Sequence, residues 1–333
     1  YTGVYTHDYY NSFSKWCKEH YDWSFPEEEL CFTPGIIPAL YQLTETLCNK
    51  DEKVLMNTPA YGYFLHSAEY AGVDVLQSPL KKKPDGTFEL DYENFEQQCA
   101  NPQCKMVFWC NPQNPTGRMW TEEELRRIAG IVEKYNLWIV SDEIHCDLIR
   151  CGRKHIPMAK VMTSYPKLIT CMAPSKTFNL AGLAFSNIII RDPVLRERFK
   201  ERDKLFGMVN PMSLTAAKAA YDKGGAWHEE LKQYLDANFA FVKDFFDKNL
   251  PDAVMYIPEA TYLAWVDLSK CLPDVEDLPD FFANKAGVLL EGGNSLFVGN
   301  AAGYIRLNLA MPRSILKTGL ERMRDTINAH NKH

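Results

Sequence analysis

The fold is decided by residues 105–143, which read "KMVFWCNPQNPTGRMWTEEELRRIAGIVEKYNLWIVSDE". The apolar runs "KMVFWC" and "LWIV" have the length and composition of buried strands. Between them, "TEEELRRIAGIVEKY" has apolar residues at helical spacing and opens with a capping box formed by Thr121 and Glu124. A strand, a helix and a second strand in this order predict two parallel strands joined by a helix.

The same alternation extends from about Leu30 to Arg191. The further runs that predict strands are "KVLMN" (53–57), "VDVLQSPL" (73–80), "KLITCMA" (167–173) and "SNIIIR" (186–191). This pattern favours an α/β fold with a mainly parallel, doubly wound sheet.

A long helical stretch, 227–248, then leads to a second unit. Its predicted elements are "AVMY" (253–256), "TYLAWVDL" (261–268), the helix "LPDFFANKA" (278–286), "YIRLNLA" (304–310) and a final helix from Ser314. We therefore expect a large domain over residues 1–225 and a smaller C-terminal α/β domain over residues 226–333.

Composition excludes several classes of function. The 333 residues are 46% hydrophobic and 24% charged, as in ordinary globular proteins, and the net charge of -6 with no basic block gives no support for nucleic-acid or membrane-surface binding. No apolar stretch approaches the roughly 18 residues of a membrane helix. No glycine-rich nucleotide motif follows a strand, and the ten cysteines contain no C-x-x-C spacing that would indicate a metal or redox site. The cytoplasm is the expected location.

Four polar side chains stand at or beside predicted strand ends, where open α/β sheets carry chemistry. Asn114 lies in an Asn-Pro turn, Asp142 directly follows an apolar run, and Lys176 follows the next. Arg306 alternates with apolar residues on a short strand. Each also has a structural reading: a turn for Asn114, a helix N-cap for Asp142, a salt bridge between Lys176 and Asp142, and a fork from Arg306 to an internal carboxylate.

Together these residues suit one cofactor. An amine that forms a Schiff base, an acid for a pyridinium nitrogen, an amide for a phenolic oxygen and an arginine for a carboxylate are what pyridoxal 5'-phosphate requires when it acts on an amino acid. Gly35, Ile36 and Ile37 stand at a predicted helix N-terminus, which favours a phosphate. Tyr61 offers a ring that can stack on the cofactor.

The order N-P-x-N-P-x-G, S-D-E, S-K and R-L-N resembles the fold type I pyridoxal-phosphate enzymes of the aspartate aminotransferase superfamily, over essentially the whole chain. Within it, the chain resembles the MalY/PatB branch of cystathionine β-lyases, which are carbon–sulfur lyases. The motifs that carry this second resemblance are "NPQNPTGRMW", "SDEIHCD", "APSKTFNLAGL", "ATYLAW" and "RLNLAMPRS".

The resemblance implies a role for each of these side chains. Lys176 is the Schiff-base lysine, Asp142 pairs with the ring nitrogen, Asn114 meets the ring hydroxyl oxygen, Tyr61 stacks on the ring, and Arg306 binds the substrate carboxylate. Asn114 and Tyr61 also border the substrate. Ser175 and the amides of Ile36 and Ile37, beside Gly35, contact the phosphate. The resemblance further implies a homodimer with active sites at the subunit interface, in which Tyr1 reaches the partner's phosphate.

Two residues depart from the superfamily's usual pattern. Many aminotransferases have a tyrosine that donates to the ring hydroxyl oxygen where this chain, like the lyase branch, has His145, and the resemblance implies that His145 binds the cofactor. Gln113 stands where that branch often has histidine. We expect the family's N-terminal segment to lie outside these residues. We expect β-elimination from L-cystathionine, L-cysteine or related amino acids to pyruvate, ammonia and a thiol. The alternatives are an aminotransferase of the same fold and a non-catalytic, cofactor-binding regulatory protein. The leaving group is not predictable.

Overall fold

A computed structural model describes residues 2–203 and 209–332. The helices are α1 (Thr2–Tyr21), α2 (Ile36–Leu47), α3 (Gly62–Ala71), α4 (Tyr92–Cys99), α5 (Glu122–Lys134), α6 (Met158–Val161), α7 (Pro174–Thr177), α8 (Pro193–Asp203), α9 (Pro211–Lys223), α10 (Gly225–Asn249), α11 (Leu278–Ala286), α12 (Gly293–Leu296) and α13 (Arg313–His330). The strands are β1 (Leu30–Thr33), β2 (Lys53–Thr58), β3 (Ala60–Tyr61), β4 (Asp74–Pro79), β5 (Lys81–Lys82), β6 (Phe88–Glu89), β7 (Cys104–Cys110), β8 (Trp138–Asp142), β9 (Leu168–Met172), β10 (Ser186–Ile190), β11 (Val254–Met255), β12 (Leu263–Asp267), β13 (Glu291–Gly292), β14 (Phe297–Val298) and β15 (Tyr304–Asn308). Single turns of 3₁₀ helix cover Glu27–Glu29, Cys146–Leu148 and Ala181–Leu183.

The larger sheet has seven strands in the order β1-β10-β9-β8-β7-β2-β4. β4, β2, β7, β8 and β9 run parallel, whereas β10 is antiparallel to both of its neighbours. Cys110 lies opposite Asp142, and Asp142 lies opposite Cys171, so three parallel strands end level at one edge. The predicted mainly parallel, doubly wound sheet is confirmed.

Helices cover both faces of this sheet because its central strands are apolar on both sides. Successive residues of a strand point to opposite faces. Accordingly Val107 and Trp109 belong to the core beneath α5, while Met106 and Phe108 belong to the core beneath α2 and α3. The predicted capping box of α5 is present: the Glu124 amide donates to Thr121 Oγ1 (3.2 Å), and the Thr121 amide donates to Glu124 Oε2 (2.9 Å).

The smaller sheet has four antiparallel strands in the order β11-β12-β15-β13. Helices α10, α11 and α13 share a separate apolar core with this sheet. The elements predicted after residue 250 are therefore present, and the division at residues 225 and 226 stays a prediction. A two-stranded ribbon, β3 with β14, joins Tyr61 to Phe297 and so brings the two sheets together beside the ends of the parallel strands.

Within the described residues, no helix has both the length and the apolar character needed to cross a bilayer.

Candidate active site

A cavity of about 1060 Å³ opens at the carboxyl ends of the parallel strands and is closed on its other side by the smaller sheet and α13. This is the position where open α/β sheets bind ligands. The predicted site residues that line it are Gly35, Ile36, Ile37, Tyr61, Asn114, Asp142, His145, Ser175, Lys176 and Arg306. Tyr1 lies outside the described residues.

Lys176 enters the cavity from the short helix α7, which follows β9 after a single residue. Within the described part of the chain, its ammonium has no hydrogen bond or ion pair, so the alternative of a direct salt bridge to Asp142 is not observed. Burial, and then the positive charge of Arg306, lower the pKa of Lys176 below its ordinary value. These surroundings therefore shift the equilibrium of Lys176 toward the uncharged amine.

Asp142 ends β8 and is buried, with 8% of its surface exposed. Among the described residues, its carboxylate accepts one hydrogen bond, from the amide of Ile144 to Oδ1 (3.1 Å), and no cation forms an ion pair with it. Burial raises the pKa of Asp142 from 3.8 to about 7, partly offset by the Ile144 amide. A buried carboxylate without a cation is costly, so this position suits a cationic N–H group from a ligand.

His145 lies one turn further along and is 2% exposed. Burial, followed by the positive charges of Lys176 and Arg306, lowers the pKa of His145 to about 3, so the imidazole is neutral near pH 7. Its Nδ1 atom is buried without a hydrogen-bond partner in the described chain. His145 also lines the cavity, so a neutral imidazole borders the site.

Asn114 lies in the turn after β7 and is buried. Its Oδ1 accepts a 2.8 Å hydrogen bond from Arg306 Nη1; because a guanidinium only donates, this contact sets the orientation of the amide. The Nδ2 group keeps its hydrogens for the cavity. Gln113 points into the turn: it donates to the Pro59 carbonyl (2.7 Å) and accepts from the Thr116 amide (2.9 Å).

Tyr61 lies in β3, directly before α3, and its ring is half-buried at the cavity. Burial raises the pKa of Tyr61 to about 12, so its hydroxyl stays protonated. The next residue must be glycine, since a Cβ at Gly62 would lie 2.5 Å from the carbonyl oxygen of Leu296. The close contact between these segments holds Tyr61 in place.

The cavity is also lined by free N–H groups at the start of α2. Helix α2 begins at Ile36, and its first hydrogen-bonded amide is that of Ala39, which donates to Gly35 O (3.4 Å). The amides of Ile36 and Ile37 and the hydroxyl of Ser175 have no partner among the described residues. Unpaired N–H groups at a helix N-terminus favour an anion such as a phosphate.

Arg306 reaches the cavity from β15 and is 7% exposed. Its guanidinium packs over Phe297, 4.9 Å from the ring centre. Glu291 Oε2 accepts hydrogen bonds from both Nε (2.9 Å) and Nη2, while Nη1 bonds Asn114. The alternative of a fork to an internal carboxylate is therefore observed, although Arg306 still borders the cavity.

Glu291 and Tyr262 are among the cavity residues that the sequence did not predict. Glu291 follows the apolar run "VLL" (288–290) and precedes two glycines, a charged residue at a strand position that alternation could have indicated. Tyr262 faces His145, with ring centres 6.0 Å apart, and stands inside the quoted motif "ATYLAW".

These observations fit pyridoxal 5'-phosphate. Asp142 lacks a cation, Asn114 has an unused donor, and Lys176 is an unpaired amine at the same cavity. The free amides of Ile36 and Ile37 line the same cavity. The donor set therefore suits a ring with one basic nitrogen, one hydroxyl oxygen, one aldehyde carbon and one phosphate.

Comparisons with known proteins agree with this geometry. Residues 4–323 match the family model described as "Aminotransferase class I and II". Cystathionine beta-lyase PatB of Bacillus subtilis is 35% identical, over 93% of this chain and 80% of PatB, and protein MalY of Escherichia coli is 32% identical, over 93% and 79%. The crystal structure of the PLP-bound C-S lyase from Staphylococcus hominis has a TM-score of 0.93 and 42% identity, over 96% of this chain and 82% of that one. The chain thus belongs to the aminotransferase class I and II family.

Proposed function

We propose that this protein is a pyridoxal 5'-phosphate-dependent carbon–sulfur β-lyase, which converts sulfur-bearing L-amino acids of the L-cystathionine or L-cysteine type to pyruvate, ammonia and a thiol. The observation that carries the proposal is the convergence of Lys176, Asp142, Asn114 and Arg306 on one cavity at the strand ends. Relatives named cystathionine beta-lyase and C-S lyase support the reaction class.

The cofactor supplies an electron sink for the carbanion at the substrate's Cα. Asp142 would hold the ring nitrogen in its protonated form, and Asn114 Nδ2 would donate to the ring hydroxyl oxygen. The amides of Ile36 and Ile37 and the hydroxyl of Ser175 would bind the phosphate, and Tyr61 would stack on the ring.

Arg306 binds the substrate carboxylate and thereby orients the Cα–H bond toward Lys176 Nζ. Lys176 removes this proton as a general base, for which its lowered pKa is suited because more of the amine is uncharged at neutral pH. The Cβ–S bond then breaks, and its electron pair leaves with the sulfur, which takes a proton to become a thiol. The released 2-aminoacrylate hydrolyses to pyruvate and ammonia.

An aminotransferase would use the same residues, since it differs only in where the proton removed from Cα is returned. A β-thiolate can leave the substrate without that returned proton, so elimination outruns transamination when such a group is present. His145 supports this assignment, because a neutral imidazole replaces the tyrosine hydroxyl of many aminotransferases. A purely regulatory protein has no need to keep all four of Lys176, Asp142, Asn114 and Arg306.

The deciding experiment offers the protein a panel of amino acids and measures pyruvate and newly formed amino acid separately. We expect L-cystathionine or L-cysteine to yield pyruvate at least about tenfold faster than either transaminates, equivalent to roughly 1.4 kcal/mol between the two barriers. L-Alanine, which has no β leaving group, serves as the control and should show slow half-transamination alone. Rapid transamination with no pyruvate from any sulfur substrate would establish the aminotransferase instead.

The proposal includes a homodimer with its active sites at the subunit interface, because the resemblance assigns Tyr1 to the partner's phosphate. Light scattering at assay concentration tests this, and an active monomer would refute it. A cytoplasmic location is also proposed: all ten cysteines are free thiols, as is usual in a reducing compartment.

A further inference from the structure

The guanidinium of Arg306 is already occupied by a carboxylate of its own chain. Nε and Nη2 both donate to Glu291 Oε2, at 2.9 Å for Nε, and Nη1 donates to Asn114. An arginine can bind a carboxylate through paired hydrogen bonds at two edges, and the edge formed by Nε and Nη2 is one of them. A substrate carboxylate that approaches the Nε–Nη2 edge of Arg306 therefore meets Glu291.

Strand register causes this contact. β13 pairs antiparallel with β15 so that Glu291 lies directly opposite Arg306, and cross-strand neighbours of this kind share one face of the sheet. The approach of the strands is close: a Cβ at Gly292 would lie 2.4 Å from the carbonyl oxygen of Tyr304. Glu291 is thus held beside Arg306 by the backbone and not by a chance side-chain orientation.

The two partners differ in their freedom to move. The Arg306 side chain is 7% exposed and packs over Phe297, whereas the Glu291 side chain is 51% exposed. When the pair separates, Glu291 can move into water at little cost, while Arg306 stays in place. The remaining contact, from Nη1 to Asn114, keeps the guanidinium oriented toward the cavity.

We propose that Glu291 is the resident occupant of the substrate-carboxylate site, which the substrate must displace, and that it thereby sets the affinity for substrate. The inference rests on the proposed function, in which Arg306 binds the substrate carboxylate. Glu291 then acts as a competitor of the substrate and not as a support for Arg306. The two roles predict opposite effects when its charge is removed.

The test measures binding of 3-(methylthio)propionate to the cofactor-loaded enzyme. This probe has the carboxylate and thioether of a substrate but no amino group, so it binds without reacting. Glu291→Gln should tighten its Kd about 3- to 6-fold, equivalent to roughly 0.6–1.1 kcal/mol, the size expected of an ion pair with one exposed member. Isothermal titration calorimetry gives this Kd, and KM for L-cystathionine should fall in the same direction.

Two controls distinguish the effect of the contact between Glu291 and Arg306 from the general effect of removing one negative charge. Glu321→Gln on α13 removes the same charge from a side chain of similar exposure (42%) that does not contact Arg306, and it should leave Kd unchanged. The uncharged probe 3-(methylthio)propan-1-ol should bind wild type and Glu291→Gln equally. An equal gain in Glu321→Gln, or with the alcohol, would overturn the proposal.

An unchanged or weaker Kd in Glu291→Gln would also overturn it, and a weaker one would assign Glu291 to positioning Arg306. Arg306→Lys distinguishes this failure from failure of the proposed function. If Arg306→Lys weakens probe binding while Glu291→Gln does not tighten it, the competitor role alone is wrong. If Arg306→Lys leaves probe binding unchanged, the carboxylate site itself is wrong.

Discussion

Replacing Arg306 with lysine should weaken catalysis through the substrate and leave the cofactor bound. Lysine keeps the positive charge but presents a single ammonium, so it cannot form the paired hydrogen bonds of a guanidinium with a carboxylate. Arg306 borders the cavity, and its Nη1 and Nη2 atoms belong to one planar guanidinium group. The substitution therefore removes one charge-assisted hydrogen bond from the bound substrate.

Such a hydrogen bond contributes about 1.5–3 kcal/mol. At 1.36 kcal/mol for each factor of ten, kcat/KM for L-cystathionine should fall roughly 10- to 200-fold. The lost contact to Glu291 offsets part of this, because a lysine holds the competing carboxylate less firmly as well. The result should therefore lie toward the lower end of that range.

Steady-state pyruvate formation gives kcat/KM, and visible absorption gives the fraction of cofactor bound. Arg191→Lys is a matched control, since Arg191 is a partly buried arginine at the opposite edge of the sheet that donates to the carbonyl of Ala159 (3.1 Å). It should lower the melting temperature without changing kcat/KM. A loss of cofactor from Arg306→Lys as large as its loss of activity would refute the reasoning and mark Arg306 as structural.

Two further variants test the cofactor contacts. Lys176→Ala should abolish covalent attachment of the cofactor and nearly all turnover; wild-type turnover would remove Lys176 from the mechanism. Asp142→Asn should keep the fold but lower kcat at least about tenfold, or 1.4 kcal/mol, because the ring nitrogen loses its anion. In the cofactor-free protein, the raised pKa of Asp142 (about 7) means that its contribution to stability is present below pH 3.8 and lost as the pH rises toward 7. Between pH 5 and pH 8, the melting temperature of cofactor-free Asp142→Asn should therefore increase with pH relative to that of cofactor-free wild type. A difference between the two that does not change with pH would contradict this.

The sequence alone was sufficient to predict that the site lies at the edge of the sheet where the parallel strands end. Apolar runs of strand length and helical spacing such as that of α5 are local properties, and a parallel sheet necessarily gathers the ends of its strands. The sequence therefore predicts that Asn114, Asp142 and Lys176 lie at one edge of the sheet. The helix α1 could also have been predicted from a local pattern. It buries Tyr9, Phe13, Trp16 and Cys17, which have the spacing of one helix face.

The tertiary structure determines the pKa of Asp142 and the direction of β10, which no local sequence pattern predicts. The pKa of Asp142 rises because other segments of the chain bury it, and this burial outweighs the opposing effects of the Ile144 amide and of the Lys176 charge. The antiparallel direction of β10 likewise depends on its pairing with β9 and β1.

Arg306 illustrates the limit most clearly. Its alternation on a strand predicted a carboxylate partner, but a substrate and an internal glutamate satisfy that pattern equally well. Glu291 is 15 residues away in sequence and becomes its neighbour through the register of β13 against β15. Register is set by the pairing of whole strands and not by either residue, so the sequence predicted the need for a carboxylate, and the fold alone placed Glu291 against Arg306.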